Sequence, residues 1–216
     1  MILTRAQFLD RLPVARMTLH CPVRQAVTGL ASGQMLRAEV GPALWQGEVV
    51  LGRMTDAEAA EAEALVDLAA ASGVSFLVGH SRRRAPVADP SGALLGAAEP
   101  VLGGVNADGD GRLRILALPA NYPLAIGDLF GFAWTDGGGR PQRALHRIAE
   151  PVTVGAGGSS SPFLPWPPLR PAAGGTAVDL IAPSCRAIVP EGGVTPGGAE
   201  RWMTEGLSFL FVESFA

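Results

Sequence analysis

The sequence contains no lysine: all 17 of its basic side chains are arginine. A GC-rich genome produces that bias, as does selection for bidentate contacts, and the abundance of Ala and Gly points to the genome. Charge of one sign is not in excess either. A formal charge of -3 argues against a dedicated nucleic-acid binder, which usually shows a basic face. The only two cysteines, Cys21 and Cys185, pair only if the two ends of the chain meet, and are otherwise expected to be buried thiols. No apolar run approaches the length of a membrane span. The opening MILTRAQFLDRLPVARM has no basic start followed by a long apolar stretch, so no secretory leader is expected, and a soluble product made in the cytosol is.

Glycine (28 residues) and proline (18) are plentiful, which favours short strands joined by turns. Strands are expected over 17–20, 24–28, 35–40 and 44–51. In the last, Trp45, Val49 and Leu51 alternate with Gln46, Glu48 and Val50, so the first set points inward and Glu48 outward. Residues 1–16 read either as a short helical turn carrying Phe8, Leu9 and Leu12 or as an arm reaching a neighbouring subunit.

The strongest local signal spans 55–72. Thr55 followed by Glu58 makes a capping box, and Asp56 and Glu58 suit the positive end of a helix. Ala57, Ala60, Ala64, Leu65 and Leu68 are read as the buried stripe, Glu61, Glu63 and Asp67 as the wetted side, and Gly73 as the stop. A strand over 74–78 follows. This is expected to be the one main helix of a mainly β chain.

From Gly79 the segment HSRRRAPVADPSGALLG reads as an exit from this first unit. Closely spaced strands over 101–105, 113–118, 129–134, 143–152 and 177–181 then suggest a small closed barrel or sandwich. PFLPWPPLRP is expected to be extended and laid across that barrel as a crossover. Two more strands follow in CRAIVPEGG and MTEGLSFLFVESF. The last puts Leu207, Phe209, Phe211 and Glu213 on one face. Apolar on both faces, it is expected to be covered on both, inside a sandwich or at a subunit contact, and to lie beside the N-terminal unit.

Chemistry is hard to find. Asn106, Asp108, Asp110 and Gly111 echo a calcium loop, but Ala117 stands where a bidentate Glu is required, so a hairpin turn is expected. Gly79-His80-Ser81 faintly echoes a nucleophile elbow, with Arg83 in place of the closing glycine. His20, Cys21, His80 and His146 have no ligand or catalytic spacing. Asp128 in the LAIGD turn is expected to bond its own backbone. The run Arg82, Arg83, Arg84 suits forked salt bridges to carboxylates of a neighbouring subunit, such as Glu61 and Glu63. No residue is assigned as catalytic, cofactor-binding or metal-ligating, and the chain is not expected to be an enzyme.

Taken together, LWQGEVVLGRMT with its acidic helix, FLVG…RRRAPVADPSGALLG, LAIGDLFGF…RALHRIAEPV, PFLPWPPLRP and MTEGLSFLFVESF resemble tail proteins of long-tailed phages and gene-transfer-agent-like particles. Within that group the sequence is most similar to distal tail proteins. The resemblance implies a tube-like β-sandwich braced by a helix, formed by 1–88 and 183–216, with a small β-barrel domain of 89–182 inserted. It also implies a ring, usually of six copies, in the virion. That ring joins the tail tube protein to the baseplate hub protein, and DNA passes through its lumen without specific binding. No cofactor and no membrane partner are implied. Arg82, Arg83, Arg84, Glu61, Glu63, Phe209 and Phe211 are the candidate subunit contacts. A terminator ring at the neck would use similar physics. Two rival readings are a carbohydrate-binding module using Trp134, Trp166 or Trp202, and a hydrolase built on His80/Ser81 or Cys21.

Overall fold

In the computed structural model, which describes residues 1–105, 110–169 and 174–215, the fold is mainly β with one main helix. The N-terminal elements are β1 (Ile2–Leu3), two 3-10 turns (Arg5–Gln7 and Leu9–Arg11), β2 (Val14–Met17), β3 (Arg24–Gly29), β4 (Met35–Gly41), β5 (Gln46–Leu51), α1 (Asp56–Ala70) and β6 (Ser75–Val78). The middle of the chain adds β7 (Val101–Val105), β8 (Leu113–Leu116), β9 (Leu129–Thr135), β10 (Pro141–Ile148), β11 (Pro165–Trp166) and β12 (Val178–Asp179). The chain closes with β13 (Cys185–Ile188), β14 (Val194–Thr195), β15 (Gly198–Glu200), β16 (Met203–Glu205) and β17 (Ser208–Glu213).

Strand β5 alternates as its sequence demands: Val49 and Leu51 are buried beside Trp45, and Glu48 is half-exposed on the other face. It lies in a sheet ordered β1-β6-β13-β17-β5-β2, with β14 also paired to β17. Only β1 and β6 run parallel. The C-terminal strand thus sits between strands made much earlier, with Phe209 opposite Val49 and Phe211 opposite Gly47. Glycine is required at 47. A Cβ there would lie 1.9 Å from the Thr18 carbonyl oxygen and 2.8 Å from the Phe211 ring.

Helix α1 opens with the reciprocal bonds expected of its cap. The Thr55 backbone N–H donates to the Glu58 carboxylate at 2.9 Å and the Glu58 N–H donates back to the Thr55 hydroxyl at 3.5 Å. The buried stripe, however, is Ala59, Ala62, Val66 and Ala69, while Ala57, Ala60, Ala64 and Leu68 are exposed and Leu65 lies at the margin. Alanine occurs around nearly the whole circumference of this helix, so the apolar period carries little direction; the branched Val66 marks the face that docks. The stop also differs. Ala71 already leaves the helical conformation, and Gly73, at φ +77°, closes the turn in which Val74 N–H donates to Ala71 C=O.

Residues 1–16 are not an extended arm. Phe8, Leu9 and Leu12 are buried in the chain's own core, where Phe8 packs on Phe76 at 4.8 Å and on Phe209 at 5.5 Å between ring centroids. Each buried phenylalanine contributes about 1.5–3 kcal/mol relative to an exposed one.

A second core gathers Leu102, Leu113, Ile115, Phe130, Phe132, Ile148 and Phe163. It is enclosed by the sheet β11-β10-β9-β12 and the ribbon β7–β8. Single bridges join ribbon to sheet at both ends, Leu113 to Phe163 and Val101 to Ala177, so the pairings run in a closed circuit. PFLPWPPLRP is extended only in part: its Pro165–Trp166 pairs with β10 as a strand, and the chain bends at Pro167 after a cis Trp166-Pro167 bond. The expected hairpin turn at 106–109 lies outside the described residues, as does Arg170. Beside it Asp110 accepts from the Arg112 backbone N–H at 2.9 Å.

The chain leaves and re-enters the large sheet at adjoining points: a Cβ on Gly79 would lie 2.2 Å from the Pro183 carbonyl oxygen. Buried Asp128 fixes the exit segment, accepting from Val87 N–H at 2.9 Å and, as its turn requires, from Ala125 N–H at 2.8 Å. Cys21 and Cys185 are not joined by a disulfide; the Cys185 thiol donates to the Val78 carbonyl.

Candidate subunit-contact surface

The least protected described element is the ribbon β3–β4. Every residue of β3 is exposed, as is every residue of β4 except Gly41. Val27 pairs with Arg37, Thr28 with Leu36 and Ala26 with Ala38. By strand alternation, Ala26, Thr28, Leu36 and Ala38 share one face, with Arg24 at its end, while Val27, Met35, Arg37 and Glu39 point the other way; the register slips at Val40. Leu36 is 55% exposed, Met35 63% and Val40 70%. A two-stranded ribbon alone in water is marginal, and its open edges offer unpaired backbone groups to another chain.

The basic run lies in the loop after β6. His80 shapes that loop, its Nδ1 accepting from the backbone N–H groups of Arg82 and Arg83 at 3.1 and 3.0 Å. Burial, and then the charges of Arg83, Arg147, Arg5 and Arg82, hold His80 below the usual imidazole range. Arg84 is committed within the chain: it meets Asp10 at 2.6 Å, and Arg5 meets the same carboxylate at 3.0 Å. Although burial opposes it, those two guanidinium groups keep Asp10 below the ordinary carboxylate range.

Of the expected contact residues, Glu61 is likewise used internally, in an ion pair with Arg11. Phe209 and Phe211 are 1% exposed, packed inside the chain's own core, and present no area to a neighbour. The strand's outward side is carried by Leu210, 47% exposed, so within the chain β17 is covered on one face only. Arg82, Arg83 and Glu63 remain on the surface, with no ion pair among the described residues.

The other motifs fall apart in space. His20 Nε2 faces the Gln46 side-chain amide at 3.1 Å. His146 is buried between Phe130 and Phe132, with Nδ1 2.8 Å from the Pro167 carbonyl oxygen. Ser81 turns its carbonyl to Arg84. Among the described residues, no group of three or more His, Cys, Asp or Glu is arranged to hold a metal. Of the tryptophans, Trp45 is fully buried, and Trp134 and Trp166 are half-buried. Trp202 is 84% exposed at the tip of β15–β16, where Arg201 adopts φ +53°.

Two features had no signal in the sequence. Arg147 on β10 stacks over Trp45 at 5.2 Å, bringing together residues about a hundred positions apart. The β15–β16 hairpin, pairing Glu200 with Met203 around Arg201-Trp202, lacks the Asn-Gly or Gly-rich loop that announces such turns. No protein-family model and no curated protein matches this sequence.

Proposed function

We propose that the chain is a structural component of a phage-like tail: a ring-forming protein at the distal end, between the tail tube and the baseplate hub, with DNA crossing its lumen unread. The observation that carries this reading is the β3–β4 ribbon, which exposes Leu36, Met35 and Val27 and two open strand edges. A second copy of the chain supplies the covering that such a ribbon lacks. A ring requires that the ribbon meet a different patch of the next copy, a heterologous contact that closes when the rotation allows. The residue motifs resembling distal tail proteins give the ring its place.

Sedimentation velocity tests the reading. The chain is expected to run as a ring or ring fragments, and a Leu36→Asp, Val40→Asp variant as a monomer. A wild-type monomer at high concentration overturns it.

A second reading has one observation in its favour. Trp202 stands exposed beside Arg53, Glu200 and Glu205, with a cavity of about 450 Å³ between them. An exposed indole flanked by polar side chains suits a sugar ring. A glycan-array signal lost in Trp202→Ala supports that reading, and a blank array removes it.

A further inference from the structure

Two surfaces of this chain lack a cover, and they adjoin. One is the face of the large sheet that points away from the first core. Strand register sets two rows across it: Thr18, Glu48 and Leu210, then His20, Gln46 and Val212. With Arg24 these side chains line a cavity of about 490 Å³, and Leu210 within it is 47% exposed. The other surface is the β3–β4 ribbon. It leaves the sheet beyond the bridge between His20 and Gln46, and Arg24, its first residue, stands on the rim of that groove. No ribbon side chain belongs to either core. Every ribbon residue except Gly41 is exposed, so the apolar side chains of the ribbon are not seated in the groove of their own chain.

We propose that this groove accepts the β3–β4 ribbon of a second copy of the chain. The proposal rests on the ring reading and names the patch that the ribbon meets. Arm and groove are different surfaces, so each copy gives an arm to one neighbour and takes one from the other. The ribbon face that carries Val27 and Met35 fits. Val27 is 46% exposed and Met35 63%, and they offer apolar area to Leu210 and Val212. On the same face Arg37 and Glu39 stand two residues apart, about 7 Å along the strand. The groove holds the opposite pair, Glu48 and Arg24. Arg24, Arg37 and Glu39 form no ion pair among the described residues, and Glu48 meets the exposed Arg16 at 3.2 Å. An exposed pair of that kind is worth little, so Glu48 can exchange its partner for Arg37 of the arriving arm. A contact between two ribbons would leave the Leu210 groove open.

The test is sedimentation velocity on the full chain with an arm variant, Met35→Asp, and a groove variant, Leu210→Asp. Both positions are exposed and lie outside the cores, so both variants are expected to unfold at the wild-type Tm. Each alone is expected to be a monomer. An equimolar mixture is expected to stop at a dimer, because one intact arm meets one intact groove and the remaining arm and groove are both blocked. A mixture that stays monomeric while wild type assembles overturns the inference and leaves the ring reading standing. So does a Leu210→Asp variant that assembles on its own, as a dimer of paired ribbons or as the wild-type species. A wild-type monomer overturns both. A charge exchange gives a second check that puts no acid against the apolar contact. Arg37→Glu and Glu48→Arg are each expected to shift the assembly to smaller species, and the two together in one chain to restore it. A double variant no better assembled than either single one overturns the pairing of arm with groove.

Discussion

The indole N–H of Trp45 donates to the carbonyl of Leu145 at 2.6 Å, across the boundary between the two hydrophobic cores and in the absence of solvent. Leu145 and Leu129 belong to the strands of the second sheet, yet their side chains join the first core. The Trp45 bond thus adds a directional link to a boundary that Leu129 and Leu145 already cross. Trp45→Phe keeps the apolar bulk but leaves a buried carbonyl without its donor, which costs about 1–3 kcal/mol. Thermal unfolding of the variant is expected at a lower Tm. A Tm equal to wild type would show that the bond contributes nothing.

Gly47 makes the sharpest steric prediction. With the Thr18 carbonyl oxygen 1.9 Å from any added Cβ, backbone must move to admit even a methyl group. Gly47→Ala is expected to destabilise by more than about 2 kcal/mol, in the range where single substitutions are diagnostic of a named clash. Denaturant unfolding measures it.

The helix offers a paired test. Ala62 is 2% exposed and Ala60 lies on the solvent side. Ala62→Leu is expected to overpack the contact with the sheet at a cost of about 1–3 kcal/mol. Ala60→Leu should stay within about 0.5 kcal/mol of wild type. Equal effects at the two positions would reverse the assignment of the docking face.

Asp89 gives a pH dependence. It accepts from the backbone N–H groups of Leu94 and Leu95 and from the Tyr122 hydroxyl at 3.0 Å. Burial opposes ionisation, but these donors outweigh it and hold the carboxyl below its usual value of 3.8. A carboxyl depressed in the folded state stabilises it above the unfolded pKa and loses that contribution as pH falls through the folded one. Asp89→Asn is therefore expected to lower Tm at neutral pH, with the gap to wild type narrowing as pH falls below 3.8. A gap that is constant with pH would show that the charge is not what matters.

Much of this architecture was legible because it rests on local chemistry. Thr55 and Glu58 are three residues apart, and their cap needs no knowledge of the rest of the fold. The alternation of β5 and of the Leu207–Phe209–Phe211 face survives because a strand's period is short and its inner residues are large. The face of α1 was not legible, since alanines on every side leave the docking direction to the partner surface. The candidate contacts failed for a different reason. Arg84 and Glu61 find their partners 74 and 50 residues away in sequence, at Asp10 and Arg11. Phe209 and Phe211 were assigned a surface role that their core packing denies. Arg147 was invisible because what distinguishes it is its stacking on Trp45, about a hundred positions away, and sequence spacing cannot show that.

The position of β17 has a consequence for synthesis. The strand lies between β13 and β5, and β5 emerges from the ribosome about 160 residues earlier. Until β17 arrives, β5 has an open edge and Phe8 and Phe76 lack Phe209 as their third partner. The first part of the chain therefore waits, exposed, while the intervening strands can close their own circuit. A translational pause after β12 would lengthen the interval in which the apolar edge of β5 is open to capture by another nascent chain.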